Sequence, residues 1–91
     1  MTVQQERRLM NRARVLDFLR CNPRKTDVEI SKMAEMSYIE TMEAIAKLER
    51  RGLVMNSGKR KCAYTLIHQN TFKLTDKGAE IMNLPANRRK I

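Results

Sequence analysis

Apolar residues in the first twenty positions recur at the spacing of a helix. They form one broad face of a helix predicted over residues 3–20, which carries Leu9, Ala13, Val15, Leu16, Phe18 and Leu19. Asn22 and Pro23 end this helix, because proline has no amide donor and disfavours helical backbone in the residue before it. We expect residues 15–19 to lie in the core. The earlier apolar residues are expected to pack on a C-terminal helix or on a second copy of the chain.

Two copies of one capping signal follow this helix. Thr26 stands three residues before Glu29, and Ser37 stands three residues before Glu40. In such a capping box the hydroxyl accepts a backbone N–H of the first turn, and the glutamate side chain reaches back to the cap. Two helix starts this close together require a short helix, a tight turn and a second helix. The pattern predicts a helix-turn-helix.

The two helices of this pair have different faces. The first is expected over about 27–35, with Ile30, Met33 and Ala34 pointing inward. The second is expected from Ser37 to about Arg51, with inward residues Thr41, Ala44, Ile45 and Leu48. Its opposite face then carries Ile39, Met42, Glu43, Ala46, Lys47 and Arg50. Gly52 supplies the position after the helix end, where positive φ is favoured.

Strand-forming runs and turn signals alternate after Gly52. We expect, in order, a strand at 53–55, a tight turn at 56–59, a second strand at 61–67, a loop at 68–71 and a short third strand at 72–74. The connection before Thr26 suits another very short strand. Thr75 and Asp76 then start a last helix that Leu84 and Pro85 end.

These elements predict an α+β fold with a three-helix core, a two- to three-stranded β wing and a short C-terminal helix. One domain is expected over residues 1–85, followed by a basic, mobile tail at 86–91. A helix, a helix-turn-helix and a hairpin with basic residues form the winged helix-turn-helix arrangement.

Three segments resemble the winged helix-turn-helix superfamily. ValLeuAspPheLeu at 15–19 resembles its first helix, and IleAlaLysLeuGluArgArgGlyLeuVal at 45–54 resembles the end of its recognition helix. LeuThrAspLysGly at 74–78 resembles the segment after the wing in MarR-type regulators, and PapI-type regulators share the first two features. The resemblance implies a prokaryotic or viral transcriptional regulator that binds double-stranded DNA. The second helix of the helix-turn-helix would enter a major groove, with the wing beside the phosphates.

Charge supports a polyanion partner but is unevenly distributed. The chain has 19 Lys and Arg against 10 Asp and Glu, for a formal charge of +9. Residues 1–25 carry +5, residues 26–50 carry −3, and residues 51–91 carry +7. We therefore expect the helix-turn-helix to supply shape and base readout, while the segments around it supply the attraction to DNA.

The candidate DNA-binding residues fall in three groups. On the wing, three consecutive cations expected in the turn suit phosphates or a minor groove: Lys59, Arg60 and Lys61. Before the first capping box, Arg24 and Lys25 join free helix amides in a possible phosphate clamp. On the second helix the candidates are Ser37, Tyr38, Ile39, Met42, Glu43, Lys47 and Arg50.

Particular side chains on that second helix suit particular partners. Arg50 suits guanine, Glu43 suits the cytosine amino group, and Ile39 and Met42 suit thymine methyls. Tyr38 is expected either to pack on the preceding helix or to donate to a phosphate. Glu40 is expected to repel phosphates unless its capping role neutralises it.

Two other interpretations stay open. The apolar and acidic face formed by Ile39, Met42 and Ala46 also suits a protein-interaction module, such as an adaptor or phage inhibitor. Structured RNA is a third candidate ligand. A homodimer through helix 1 and the C-terminal helix is expected, because one such module buries only about 600–1,000 Å² on DNA. RNA polymerase or another protein are further candidate partners.

Catalysis, metal binding and membrane insertion are not expected. The sequence has no glycine-rich phosphate loop and no catalytic cluster, and His68 with two cysteines falls short of a four-ligand zinc site. We expect no enzyme activity, no metal and no cofactor. Without a signal-peptide core or a spanning apolar run, a cytoplasmic location is expected, with Cys21 and Cys62 reduced and buried.

Overall fold

The computed structural model describes residues 2–83, which form four helices and a three-stranded antiparallel sheet. The elements are α1 (Val3–Cys21), β1 (Lys25–Thr26), α2 (Asp27–Met33), α3 (Tyr38–Arg50), β2 (Val54–Lys61), β3 (His68–Leu74) and α4 (Asp76–Met82). The predicted α+β architecture is confirmed. The predicted tail and the helix end at Leu84 and Pro85 lie outside the described residues. None of the helices within 2–83 is long and apolar enough to cross a membrane.

Each helix begins at a hydroxyl side chain. Thr2, Thr26, Ser37 and Thr75 are the N-caps, and each side-chain oxygen accepts the N–H three residues further on. Of the two predicted capping boxes, the one at Thr26 is complete. The one at Ser37 lacks its return bond, because the Glu40 carboxylate bonds to α1 instead.

The core lies between α1, α2, α3 and the sheet. It is made by Val15, Leu16, Leu19, Ile30, Met36, Ala44, Ile45, Leu48, Leu53, Val54 and Met82, with Phe18 partly buried against it. All four residues predicted to face inward on α3 are buried, since Thr41 is fully enclosed as well.

Two burial predictions are wrong. Met33 is 46% exposed, because α2 ends there and the turn that follows brings Met36 into the core instead. Cys21 is exposed at the last residue of α1, whereas Cys62 is buried as expected; both are free thiols.

The hairpin turn lies at residues 62–67 and not at the predicted 56–59. Gly58 does take positive φ, at 96°, and its N–H donates to Asn56 Oδ1 at 2.8 Å. The chain uses this local signal for a β-bulge, since β2 gains one residue relative to β3 between Asn56 and Lys59 and pairing then continues to Lys61. Cations predicted in a turn therefore lie in a strand, where successive side chains point to opposite faces.

The sheet order is β1-β3-β2. Lys25 pairs with Phe72 and Thr26 with Thr71, which confirms the very short strand before α2. The predicted loop at 68–71 and third strand at 72–74 are the two halves of β3.

α4 is joined tightly to the end of α3. The Thr75 N–H donates to the Leu53 carbonyl at 3.0 Å, and the Thr75 hydroxyl donates to the Gly52 carbonyl at 2.6 Å. Gly52 has the predicted positive φ, at 72°. A Cβ on Gly78 would overlap the Leu53 carbonyl oxygen, so the glycine of the LeuThrAspLysGly segment permits this close approach.

Candidate nucleic-acid interface

α3 presents one side to solvent because its other side is buried in the core. Ile39 is 69% exposed and Met42 is 47% exposed, which is unusual for large apolar side chains. Glu43 and Arg50 are also exposed, and Lys47 is partly covered. The face predicted from periodicity is therefore available to a partner.

The acidic start of α3 is neutralised by α1. Arg7 Nε donates to Glu40 Oε2 at 2.6 Å, and Asn11 Nδ2 donates to the same oxygen at 2.9 Å. These hydrogen bonds, the one from Arg7 first, lower the pKa of Glu40 to about 2. The carboxylate expected to repel phosphates is thus balanced by an arginine 33 residues earlier in the chain and not by its capping role.

A groove of about 260 Å³ separates α1 from the solvent-facing side of α3. Its charged lining is Arg8, Arg12, Glu40, Glu43, Lys47 and Arg50, four cations against two carboxylates. The pKa of the Arg12 guanidinium lies below its ordinary value, first because burial disfavours its charge and then because Arg51 and Arg8 repel it. Cations from both helices are therefore crowded along one edge of α3.

A buried carboxylate anchors the wing, the hairpin of β2 and β3. Glu29 is 2% exposed and accepts the N–H groups of Thr26 at 2.9 Å and of Ala63 at 3.0 Å, together with the Arg60 guanidinium. Burial by itself raises the pKa of Glu29, but these three donors outweigh burial and the net direction is downward. Arg60 also donates to the Arg24 carbonyl at 3.2 Å. Its guanidinium is therefore held by the protein.

The first turn of α2 is bonded both to the wing, through Glu29, and to α3, through Asp27. The Tyr38 hydroxyl donates to Asp27 Oδ2 at 2.8 Å, and this bond, more than burial, raises the pKa of Tyr38. Tyr38 begins α3, while Asp27 and Glu29 lie in the first turn of α2, and Glu29 holds Ala63 in the hairpin turn. The start of α3 and the hairpin turn are therefore both joined to the first turn of α2.

The cations beside α2 differ from the expected clamp. The first amides of α2 are occupied, since Val28 N–H donates to Asp27 Oδ1 at 2.8 Å and Glu29 N–H donates to the Thr26 hydroxyl at 3.1 Å. Two of the amides that the clamp would use are therefore engaged within the protein. Arg24 is exposed, with a positive φ of 62°, and Lys25 is partly exposed in β1.

The wing is basic along its strands and apolar at its tip. From residue 50 to residue 75 the chain has six Lys or Arg and no Asp or Glu, and Lys59 and Lys61 are exposed. The turn is closed by the Cys62 N–H donating to the Ile67 carbonyl at 2.9 Å. Tyr64, Leu66 and Ile67 are 52%, 65% and 62% exposed there. Sequence reasoning missed this tip because it assigned these residues to a strand.

Sequence reasoning also missed the arginines of α1. Arg7, Arg8 and Arg12 belong to a helix that was assigned to the core and to dimerisation. The sequence does carry a signal for their position. Residues 8, 12, 15 and 19 are separated by four, three and four residues, so Arg8 and Arg12 continue the side of α1 that carries the core residues Val15 and Leu19.

The fold defined by these elements is the winged helix-turn-helix, as the resemblance implied: α2 and α3 form the helix-turn-helix and the β2–β3 hairpin forms the wing. Solved structures of transcriptional regulators share it. PcaV from Streptomyces coelicolor, crystallised with its natural ligand, aligns with a TM-score of 0.64 at 20% identity over 76% of this chain and 46% of PcaV.

Two further regulators align with similar TM-scores. A point mutant of ZitR from Lactococcus lactis gives a TM-score of 0.64 at 20% identity over 78% of this chain and 45% of ZitR. The regulator PA4135 gives 0.63 at 22% identity over 79% of this chain and 50% of its own. The chain thus spans about half the length of these regulators. Comparison with protein-family profiles and with curated protein sequences finds no match.

Proposed function

We propose that this chain is a sequence-specific transcriptional regulator that binds double-stranded DNA, with α3 in the major groove and the wing on the phosphate backbone. The observation that supports the proposal most is that α3 and the wing are both joined to the first turn of α2. The Tyr38–Asp27 and Glu29–Ala63 hydrogen bonds join the start of α3 and the wing tip to the same turn of α2. A helix and a flanking ribbon placed in this way match the two grooves of a duplex.

The site residues divide by the task that their environment allows. Ile39, Met42, Glu43 and Arg50 are exposed on α3 and are assigned to base edges. Ser37, whose hydroxyl caps α3, and Tyr38 are assigned to the entrance of the DNA major groove. Lys47 at the edge of α3 is assigned to phosphates. Of the wing cations, Lys59 and Lys61 are assigned to phosphates, and so are Arg24 and Lys25. Arg60 holds the wing in position through Glu29.

Selection from a pool of random duplexes, followed by sequencing of the bound fraction, tests this function. A specific regulator enriches one shared motif, and an Arg50→Ala variant then relaxes the preference at one or two positions of that motif. Enrichment without a motif, or no retention of duplex at low salt, would contradict the proposal.

The second candidate function is a protein-interaction module. It is favoured by the exposure of Ile39 and Met42 on α3 and of Leu66 on the wing tip, because large apolar side chains grouped on a surface mark protein contacts. An Ile39→Asp or Met42→Asp variant would then lose a defined protein partner while its affinity for bulk DNA persists. Competition between duplex DNA and structured RNA at equal salt separates the third candidate, RNA binding.

Self-association forms part of the proposal. We infer a homodimer through α1 and the C-terminal helix, which would place two α3 helices on one duplex. Met10 is 64% exposed and Val3 is 82% exposed on α1, so an apolar surface is available there. Bound to an operator, such a dimer would regulate by blocking or recruiting RNA polymerase or another protein.

A further inference from the structure

We propose that the groove between α1 and α3 is a second phosphate-binding site, in which Arg8 and Arg12 grip one DNA backbone while the wing grips the other. This inference rests on the proposed binding of duplex DNA by α3. It assigns a ligand-binding task to α1, which the sequence had assigned to the core and to a dimer contact.

The position of the two arginines follows from the length of α1. Val15 and Leu19 of this helix are fully buried, and Arg8 and Arg12 continue the same side towards the N-terminus, where the helix extends past the core. Both residues line the groove beside α3, where Arg12 is partly buried and Arg8 is exposed. Met10, about half a turn around α1 from them, faces solvent and is free for a separate contact.

The charges in the groove are unbalanced in favour of an anion. Among residues 2–83 the ion pairs are Arg7–Glu40, Arg20–Asp17 and Arg60–Glu29, so neither Arg8 nor Arg12 is paired.

Of the two carboxylates in the groove, Glu40 is already engaged by Arg7 and Asn11, which leaves only Glu43 against four cations. The burial of Arg12 and its repulsion by Arg8 and Arg51 disfavour its charge. A bound phosphate would relieve that repulsion, so the cluster is complementary to an anion.

The groove also lies where a duplex would place a phosphate. A helix is about 10–12 Å in diameter and the major groove is about 12 Å wide, so the two backbones run along both flanks of an inserted helix. α1 packs against α3, and the wing follows α3 in the chain and is held by Glu29 at the first turn of α2. Arginine suits the task because its planar fork can donate two hydrogen bonds to one phosphate.

The test is the salt dependence of duplex binding, measured by fluorescence anisotropy over a series of salt concentrations. For the Arg8→Ala/Arg12→Ala variant we expect the slope of log K against log salt to fall by about two units relative to the unmodified chain, one for each lost phosphate contact. The Arg8→Lys/Arg12→Lys variant should restore the slope, because a lysine also neutralises a phosphate. The melting temperature should not fall, since the alanines remove a repulsion.

Arg20→Ala/Lys32→Ala is the control, since it also removes two positive charges, but from exposed positions outside the groove. Its slope should change by less than about half a unit.

Equal slopes for the groove and control variants would overturn the inference. If the Lys59→Ala/Lys61→Ala wing variant lowers the slope and the groove variant does not, the inference fails while the proposed function stands. If the unmodified chain does not bind duplex, the proposed function fails with it.

Discussion

Glu29 and Glu40 show how single residues change the electrostatic picture of the helix-turn-helix. Both belong to the segment whose net charge of −3 argued against a direct attraction to DNA. In the fold each accepts an arginine from outside that segment, Arg60 for Glu29 and Arg7 for Glu40. The negative charge counted along the sequence is therefore partly cancelled by arginines from α1 and the wing.

Glu40 makes the acid stability of the protein depend on α1. Its pKa in the folded chain, about 2, is below its ordinary value of 4.5, so its ionised form favours folding. That stabilisation is complete above about pH 4.5 and is lost as pH falls towards about 2. A Glu40→Gln variant should be less stable than the unmodified chain at pH 7, and the difference should vanish near pH 2. Urea unfolding across this pH range measures it. The control Glu49→Gln, at an exposed α3 position, should show no such convergence; if it does, the Arg7–Glu40 pair is not the cause.

Arg60 is expected to act on wing position and stability. Its removal leaves the Glu29 carboxylate buried without its cationic partner, which we expect to cost about 1–2 kcal/mol of unfolding free energy, reduced from a fully buried pair because the Arg60 side chain is 41% exposed. Denaturant unfolding of Arg60→Ala measures the loss. In a double-mutant cycle with Glu29→Gln, the two effects should not add. Lys61→Ala, one residue along the strand, is the control and should change stability by less than about 0.5 kcal/mol.

At the scale of elements, the wing differs most from its sequence pattern. Asn56 and Gly58 form a bulge within β2, and the turn moves to residues 62–67. Because successive side chains of a strand point to opposite faces, Arg60 bonds Glu29 on one face while Lys59 and Lys61 point to the other.

Lys59 and Lys61 should contribute to DNA binding through charge alone. In the Lys59→Ala/Lys61→Ala variant we expect the salt slope of duplex binding to fall by about one to two units, with little change in the sequence preferred. The Lys73→Ala variant of β3 serves as a reference for losing one exposed charge from the hairpin. An unchanged slope in the double variant would remove the wing lysines from the interface.

Gly78 controls how closely α4 approaches the end of α3. A methyl group there would overlap the Leu53 carbonyl oxygen, which is backbone and does not move aside easily. We expect Gly78→Ala to cost about 2–3 kcal/mol of unfolding free energy, the upper part of the range typical of overpacking. The comparison is Gly58→Ala, where no atom lies within 4 Å and only the positive φ opposes the side chain, at about 1 kcal/mol. Thermal or urea unfolding ranks the two. A Gly78→Ala protein as stable as the unmodified chain would show that α4 is not held against Leu53.

At the scale of the whole molecule, α1 has two sides with different expected tasks. Arg8 and Arg12 face α3, whereas Met10 and Val3 face solvent about half a turn away. DNA contact and self-association therefore do not compete for the same side of α1, and a substitution on one side can leave the other intact.

The proposed homodimer is tested from the solvent side of α1. Met10→Asp should shift the sedimentation of the chain towards the monomer and weaken duplex binding through lost avidity, without unfolding, because Met10 is exposed. Met33→Asp, on α2 and similarly exposed, is the control and should leave the oligomeric state unchanged. A Met10→Asp chain that associates like the unmodified one would exclude this side as the dimer contact.

Local sequence signals are enough to predict the helices, the buried side of α3 and the class of fold. Caps, proline stops and 3.6-residue periodicity act within a few residues, so they can be identified without knowing the rest of the chain. The same holds for the exposed residues of α3, because the side opposite a buried one faces outward. The predicted site residues on α3 and in the wing strand lie at the surface. Among them, Arg60 is bonded to Glu29.

Long-range packing, and not a local signal, sets which turn closes the hairpin and which arginine pairs with which glutamate. Pairing of β2 with β3 outweighs the turn preference of Asn56 and Gly58, since every residue added to the ladder satisfies backbone groups that a turn would leave unpaired. Arg7 lies 33 residues from Glu40, and Arg60 lies 31 residues from Glu29. Contacts over such separations are set by how helices and strands pack, and they place the α1 arginines beside α3.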